Sequence, residues 1–317
     1  MVRHIRAYQA YIWKLERRFL NYLNYQGIFK IAKCRIHAIL ILGNIMANST
    51  LRTMLRCPWR IFNQCKIKVL QRYNRLCRPP KWHNLRSIKP ISQVFGFDRG
   101  TPIDRIYTND FLSANAHFIQ GRVCEIAENT YTKTFGSNVN KSEILHYTTE
   151  NKNATIIGDL TQHSTLPQGI LDCFICTVTL NFIYDYKAAI KGIYLMLKSN
   201  GGGGITNSMR ETSPTNQSIN PPARPSGTAL VTVAGLVQIS QYDYERWGDY
   251  WRFTDMGIKR DFEEVFGKGN VEVGTYGNVL SATAELQGIA AEELKHDELF
   301  YNDPRYPVLI TIVAKKY

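Results

Sequence analysis

Short apolar runs alternate with stretches of helical period along the chain from residue 101 onward. Apolar runs bounded by turn residues are typical of buried strands, and apolar residues recurring every three or four positions indicate helices. The pattern predicts helices at 101–119, 185–198 and 253–267. It predicts strands at 122–127, 141–146, 154–160, 171–180, 228–235, 270–278 and 306–316.

This alternation predicts an α/β protein with a doubly wound, largely parallel sheet, because crossover helices join parallel strands and cover both faces. The run LDCFICTVTL at 171–180 is apolar throughout and rich in β-branched residues, which is typical of a strand buried on both faces. Periodicity alone leaves open whether the last two strands form an antiparallel pair.

Residues 199–227 interrupt this pattern between a predicted helix and a predicted strand. They consist mainly of glycine, serine, asparagine and proline, with almost no apolar residue. Such a segment cannot offset its ordering entropy by burial, and a loop of this length between two core elements is uncommon. We predict a flexible insertion at the surface.

The first 90 residues differ from the rest of the chain in charge. They hold 19 Lys and Arg against one acid, Glu16, whereas residues 91–317 hold 20 Lys and Arg against 25 Asp and Glu. The net charge of +13 is therefore +18 in the first region and −5 in the second. We predict a basic helical N-terminal extension at 1–90 and a single domain at 91–317, and only the extension calls for an anionic partner.

Within the extension, residues 1–35 have a helical period with a cationic face, and a second basic segment at 52–78 ends at Pro79 and Pro80. The simplest interpretation is a helical extension that packs on the domain or on a second copy of the chain. An anionic membrane surface is the next hypothesis, since aromatic and aliphatic residues stand beside Lys and Arg. A targeting peptide is a further alternative, and specific nucleic acid binding ranks below the membrane because no groove-reading motif is present.

The hydropathy of the chain and its cysteine content indicate where in the cell the protein is expected. No run approaches the roughly 20 apolar residues of a membrane helix, so we expect no transmembrane segment. Seven cysteines are odd in number and favour a reducing, cytoplasmic location, peripheral to a membrane if the extension binds one. Cys173 and Cys176 are spaced as CxxC, but in a strand they point to opposite faces, so we expect buried thiols and no metal site.

The turn after the first predicted strand has the spacing of a glycine-rich nucleotide-binding turn without its glycines, Glu125-x-Ala127-x-Asn129-x-Tyr131. Ala127 adds one methyl group, Asn129 tolerates a positive φ, and Tyr131 is expected to begin a helix or cap the site. Glu125 in an apolar strand needs a partner. A ribose, a network of backbone amides, or an arginine such as Arg122 or Arg105 would each supply one.

The domain resembles class I S-adenosylmethionine-dependent methyltransferases, in particular a group of bacterial, type 11-like methyltransferase-domain proteins. The resemblance covers most of 94–316 and none of the extension. It implies a Rossmann-like seven-strand sheet with the last strand antiparallel, and S-adenosylmethionine as cofactor. The segments that carry it are 95–112, 121–136 (GRVCEIAENTYTKTFG), 154–161, 171–185, 233–254 (with ERWGDYWRFT at 245–254) and 272–294.

The resemblance implies roles for individual residues. Asp159 matches a side chain that meets the adenine amino group, with a helix N-cap as the alternative, and Thr177 and Thr179 match the end of the fourth strand. The acid that grips the ribose in this family is missing after His146, and Glu150 comes one turn late. The residues predicted to bind the cofactor are Glu125, Ala127, Asn129, Thr130, Asp159, Leu160 and Thr177.

These features predict methyl transfer to a small-molecule or glycan acceptor. Candidate general bases for a hydroxyl acceptor are Tyr242, Asp243, Asp249 and His163. The aromatic residues of 242–253 would stack on a sugar, wall the substrate cavity, or form a lid packed on the sheet. The alternative is an inactive methyltransferase-like binding module held at a membrane by the basic extension. A nicotinamide-dependent oxidoreductase would find an acid of suitable spacing in Glu150, but ERWGDYWRFT argues against it.

Overall fold

A computed structural model of the chain describes residues 56–80, 87–199 and 225–317, with side chains from residue 66 onward. The helix predicted within 1–35 and nearly all of the insertion predicted at 199–227 lie outside the described residues. The chain divides into two compact units, Met1–Ile67 and Lys68–Tyr317. This boundary falls inside a helix, α1 (Arg56–Cys77), so that residues 68–90 belong to the second unit.

The second unit contains the elements that the sequence pattern predicted and several short helices besides. Its strands are β1 (Gly121–Ile126), β2 (Val139–His146), β3 (Ile156–Ile157), β4 (Cys173–Thr177), β5 (Gly227–Ala234), β6 (Val271–Tyr276) and β7 (Leu309–Lys316). Its helices are α2 (Ile103–Ala114), α3 (Thr130–Phe135), α4 (Tyr186–Met196), α5 (Gln241–Tyr244), α6 (Asp255–Phe266), α7 (Val279–Gln287) and α8 (His296–Phe300).

The strands form one seven-stranded sheet in the order β3-β2-β1-β4-β5-β7-β6. The pairs from β3 to β5 are parallel, whereas β7 is antiparallel to both β5 and β6. The predicted fold, a Rossmann-like doubly wound sheet with its last strand antiparallel, is therefore confirmed.

Helices cover both faces of the sheet, and the side chains of each strand alternate between the two cores. Cys124, Phe174 and Val231 point into the core on one face, where α4 and α6 contribute Ile193 and Phe262. The other face carries two further clusters, under α2 and α3 and under α2 and α7. Cys173 lies in one core and Cys176 in the opposite one, as predicted, and burial raises the pKa of the Cys176 thiol to about 12.

Several boundaries differ from the prediction for local reasons. β3 is only two residues long because Gly158 and Asp159 turn the chain away. The apolar run at 171–180 ends as a strand at Thr177, since Val178 adopts a positive φ of 45°. α7 has a strong N-terminal signal that the pattern analysis missed, because Asn278 accepts hydrogen bonds from the amides of Leu280 and Ser281.

α7 also buries a carboxylate against the start of α2. Glu285 is 1% exposed, and neither of its carboxylate oxygens has a hydrogen-bond partner within the described part of the chain. The group faces the first amides of α2, at Ile103 and Asp104, without reaching hydrogen-bond geometry. Burial and the neighbouring Asp104 carboxylate raise the pKa of Glu285 well above its ordinary value.

The described residues contain neither a candidate membrane span nor a candidate metal cluster. No helix among them is long and apolar enough to cross a bilayer. Likewise, no group of three or more His, Cys, Asp or Glu side chains in the described ranges could hold a metal ion.

Candidate functional site

The order of the strands places a crevice between the carboxyl ends of β1 and β4. From β1 the chain continues to β2 and β3 on one side, and from β4 it continues to β5 on the other. In doubly wound sheets ligands bind at such a reversal of strand order. The first residues after β1 and β4, Ala127 and Val178, therefore lie at the candidate site.

Glu125, at the end of β1, is 2% exposed and holds the following helix by its N-terminus. Its carboxylate accepts hydrogen bonds from the amides of Tyr131 (3.2 Å) and Thr132 (2.9 Å) and from the Thr132 hydroxyl (3.0 Å). Burial raises the pKa of Glu125, and these hydrogen bonds oppose the rise. The partner of Glu125 is thus the predicted backbone amide network.

Neither arginine that the sequence suggested as a partner forms an ion pair with Glu125. Arg122 binds Glu143 on β2 at 2.6 Å, and Arg105 donates to the Tyr131 hydroxyl at 2.7 Å. Tyr131 is buried within α3, one residue after the helix begins. The ring therefore packs into the domain and its hydroxyl fixes Arg105, which borders the site.

The strained residue of the turn is Ala127 and not Asn129. Ala127 has a φ of 66°, whereas Asn129, which would tolerate a positive φ, has an ordinary φ of −129°. An L-residue in the left-handed region costs about 1 kcal/mol or more. The conformation is fixed by two hydrogen bonds, from the Ala127 amide to Leu145 O (3.0 Å) and from Asn151 Nδ2 to Ala127 O (2.7 Å). Asn129 instead donates to Ser142 Oγ on β2 at 3.1 Å.

A second strained residue, Val178, ends β4 directly across the crevice. A β-branched residue with a φ of 45° is a genuine outlier, and such strain concentrates at functional sites. The Val178 amide donates to the carbonyl (2.8 Å) and hydroxyl (3.1 Å) of Thr232 on β5. Thr177 is half-buried, and its carbonyl accepts a hydrogen bond from the Thr179 hydroxyl at 2.9 Å. Nothing in the sequence signalled the conformation of Val178.

Asp159 lies beyond β3 and is half-buried. Its Oδ1 accepts from the amide and the hydroxyl of Thr161, both at 2.8 Å, while Oδ2 has no hydrogen-bond partner within the described ranges. The residue that caps the following 3-10 turn is Gln162, so Asp159 closes its own turn and is not that cap. Leu160 is buried in the core, and only its backbone remains available to a ligand.

Tyr147 occupies the end of β2, where the sequence lacks the expected ribose carboxylate. Its ring packs edge-on against Trp247, with 5.4 Å between ring centroids. Trp247 follows β5, which is separated from β2 by β1 and β4. Neighbouring strands lie about 4.8 Å apart, so this contact bridges about 14 Å across the crevice. Glu150 is exposed a few residues beyond.

The four candidate bases lie in two parts of the structure, the segment after β5 and the segment after β3. Asp249 is buried and accepts hydrogen bonds from Arg252 and from the Ser240 amide, and although burial alone would raise its pKa, these partners hold the pKa below its ordinary value. These contacts anchor the loop between Ser240 and Arg252. Asp243 accepts a short hydrogen bond from Ser240 Oγ at 2.6 Å.

The other two candidates differ in exposure and setting. Tyr242 is exposed beneath the Arg246 guanidinium, which lies 3.3 Å from its ring centroid. His163 lies after β3, and its Nε2 hydrogen-bonds to the Ala188 carbonyl on α4 at 2.9 Å. Asp243 and Tyr242 thus share one short helix, whereas His163 belongs to a different part of the sheet edge.

The aromatic residues after β5 divide between packing and exposure. Trp251 and Phe253 contact Tyr186 on α4, and the Trp251 indole donates to the Tyr184 carbonyl at 3.1 Å. Tyr184 and Tyr250 meet edge-on at 5.4 Å, and both rings are exposed. Trp251 and Phe253 therefore form a wall, and Tyr184 and Tyr250 present their rings to solvent.

A cavity of about 320 Å³ lies between α2 and the β1 turn. Both α2 and the turn after β1 contribute polar side chains to its lining. The Tyr131 hydroxyl orients the Arg105 guanidinium by accepting a hydrogen bond from it. The lining residues are Phe97, Gly100, Thr101, Pro102, Arg105, Asn109, Glu128, Thr130 and Tyr131. Thr130, predicted to bind the cofactor, thus lies at this cavity.

No family model and no curated protein matches the chain. Among solved structures, the chain is similar to an S-adenosylmethionine-dependent methyltransferase from Archaeoglobus fulgidus (14% identity, 67% of this chain and 94% of that chain, TM-score 0.39). It is also similar to a methyltransferase from Mesorhizobium loti (12% identity, 68% and 98%, TM-score 0.38).

A third similar structure is the Burkholderia thailandensis 1,6-didemethyltoxoflavin-N1-methyltransferase with bound S-adenosylhomocysteine (10% identity, 68% and 79%, TM-score 0.38). The strand order is the evidence for the fold, and it is the fold that the resemblance to class I methyltransferases implied.

Proposed function

We propose that this protein transfers a methyl group from S-adenosylmethionine to a small-molecule or glycan acceptor. The observation that carries the proposal is the crevice at the strand reversal, bordered by two strained L-residues, Ala127 and Val178. Strain of this kind persists only where the surroundings impose it, as Leu145 and Asn151 do at Ala127 and Thr232 does at Val178. Binding of a cofactor by the backbone at this crevice would be the functional reason for the strained conformations of these two residues.

The residues around the crevice fit the parts of S-adenosylmethionine. The turn after β1 would meet the ligand through Asn129 and Thr130, because the amide and carbonyl of Ala127 are already bonded to Leu145 and Asn151. Asp159 retains one carboxylate oxygen for an adenine amino group, because Thr161 occupies only Oδ1. Thr177 lies at the end of β4, where the reacting part of the cofactor would face the acceptor.

The chemistry demands little of the protein beyond alignment. The cofactor supplies a methyl group on a sulfonium, whose leaving group is already activated, so holding donor and acceptor in line provides most of the acceleration. For a hydroxyl acceptor, Asp243 and Tyr242 are better bases than Asp249, whose carboxylate is already committed to Arg252. The exposed rings of Tyr184 and Tyr250 suit stacking on a sugar or another flat acceptor.

Isothermal titration of the full chain with S-adenosylmethionine and S-adenosylhomocysteine tests the proposal. We expect saturable binding of both, weakened about tenfold in Asp159→Ala because one polar contact to adenine is lost. Asp303→Ala is the matched control, since Asp303 is a carboxylate paired only with nearby Arg305. If neither ligand binds up to millimolar concentration, the proposal is wrong.

The inactive binding module remains the alternative proposal. Ala127 and the absent carboxylate at Tyr147 favour weak cofactor binding, and they motivate a separate measurement of turnover. Release of S-adenosylhomocysteine in the presence of glycan and small-molecule acceptor pools distinguishes an enzyme from a module. Cofactor binding without any product release would favour the module.

A further inference from the structure

The second half of α1 has two faces of different character. One face binds the domain by hydrogen bonds from side chains spaced three and four residues apart, which therefore lie side by side on the helix. They reach consecutive backbone carbonyls: Gln71 to Phe97 (3.0 Å), Asn74 to Asp98 (2.8 Å) and Arg75 to Arg99. This inner face fixes the helix to the segment that enters the cavity described above.

The outer face of the same turns is both apolar and basic. Val69 and Leu76 are 66% and 70% exposed, and Arg72 between them is exposed as well. Positions 69, 72 and 76 form one stripe along a helix. Transfer of large aliphatic side chains from water to an apolar environment is favourable, so the outer face is suited to an apolar partner.

The charge around this face further restricts the chemical class of the partner. Between Glu16 and Asp98 the sequence contains sixteen Lys and Arg and no acid. Along this part of the chain Lys68 and Arg72 of α1 are exposed, and so is Arg78, just beyond the end of the helix. A partner that accepts both aliphatic side chains and an uninterrupted positive charge must itself be apolar and anionic.

We propose that the outer face of α1 docks on an anionic lipid bilayer. Val69 and Leu76 enter the boundary between headgroups and acyl chains, and the basic side chains meet the lipid phosphates. A nucleic acid duplex would use the basic side chains and leave both aliphatic ones in water, which is why the lipid surface fits better. This proposal does not depend on the proposed methyl transfer.

Docking in this way has a consequence for the site. The inner face of α1 contacts the backbone of 97–99, and Phe97, Gly100 and Thr101 line the cavity. A helix with its side chains is about 10 Å across, so the cavity lies about that far from the lipid surface.

Co-sedimentation of the full chain with vesicles tests the electrostatic part. We expect binding to phosphatidylcholine vesicles that contain phosphatidylglycerol, weakening with added salt, and little binding to pure phosphatidylcholine. Arg72→Glu should lower the affinity at least about tenfold, because it replaces a favourable charge by a repelled one. Arg260→Glu makes the same charge change at an exposed position of α6 and is the matched control.

The apolar part is tested with the double variant Val69→Ser, Leu76→Ser, for which we expect a loss of about tenfold or more. Met256→Ser, at an exposed position of α6, is its control and should bind normally. Unchanged thermal unfolding by circular dichroism verifies that the variants are folded. Equal binding to both vesicle types, equal loss in Arg72→Glu and Arg260→Glu, or no loss in the serine variant would each overturn the proposal. So would tighter binding to a DNA or RNA duplex than to vesicles.

Discussion

The turn after β1 and the contact between α7 and α2 each bury a glutamate, and the two differ in what surrounds the carboxylate. Glu125 is 2% exposed and accepts three hydrogen bonds from the start of α3. Glu285 is 1% exposed and accepts none from the described residues. Burial raises the pKa of both. At Glu125 the three donors oppose the rise, whereas at Glu285 the Asp104 carboxylate adds to it before the nearby amides of Ile103 and Asp104 oppose it.

The comparison shows that burial of a carboxylate is compatible with a stable fold when partners donate hydrogen bonds to it, and destabilises the fold when they do not. Glu125 fixes the backbone of the candidate cofactor turn, and its desolvation is offset by the groups that it orders. Glu285 gains nothing comparable, so its ionised form destabilises the fold. Three substitutions test this difference and a fourth tests the strained turn beside Glu125, from the largest expected effect to the smallest.

Glu125→Ala should have the largest effect, because it leaves the amides of Tyr131 and Thr132 and the Thr132 hydroxyl without their acceptor. We expect the free energy of unfolding to fall by about 3 kcal/mol. Urea titration followed by circular dichroism measures this, with Glu272→Ala, an exposed glutamate bound to Lys315, as the control. Equal stability of the two variants would mean that Glu125 does not organise the turn.

Glu285→Gln should stabilise the protein by about 1–3 kcal/mol near pH 8 and have little effect near pH 4. The folded-state pKa of Glu285 lies above the unfolded value, so the unfolded chain binds fewer protons as the pH rises from 4.5 toward the folded pKa, and wild-type stability falls across that window. The neutral amide removes this loss.

Urea titrations at both pH values measure this difference for Glu285→Gln. Glu264→Gln, an exposed partner of Arg260, should change stability little at either pH. A destabilisation by Glu285→Gln at pH 8 equal to that at pH 4 would show that Glu285 is ionised with an adequate partner.

Thr132→Val removes one of the three donors to Glu125 and keeps the shape of the side chain. We expect a loss of about 1 kcal/mol in stability and a further rise of the Glu125 pKa, since the remaining amides stabilise the carboxylate less well. Carbon-detected NMR titration of the Glu125 carboxyl follows the pKa. Thr134→Val on the exposed side of α3 serves as the control, because Thr134 bonds only the Thr130 carbonyl.

Ala127→Gly should have the smallest effect on stability, a gain of at most about 0.5 kcal/mol, because relief of the positive φ is offset by the backbone entropy of glycine. Ala188→Gly inside α4 has no strain to relieve and should lose about 1 kcal/mol. The sign of the difference between the two variants, measured by thermal unfolding, is the test. Equal losses would place Ala127 in an unstrained conformation.

The sequence was sufficient for the fold because the alternation of periods and the β-branched run in β4 are signals of local chain geometry. It also identified Glu125 as a residue that needs a partner, since an acid within an apolar strand is costly. It could not locate the strain, because φ at Ala127 and Val178 is set by hydrogen bonds to β2, Asn151 and Thr232. Contacts between distant segments, such as Tyr147 with Trp247, leave no periodic trace in the sequence.

The position of β7 has a consequence for how the sheet is assembled. β7 lies between β5 and β6 and bonds to both, so β6 has no partner in the sheet until β7 is in place. During synthesis the first five strands can pair in order, while β6 must wait for residues 309–316 to emerge from the ribosome. Until then β5 and β6 present open edges, and this interval is when the nascent chain is most exposed to mispairing with other chains.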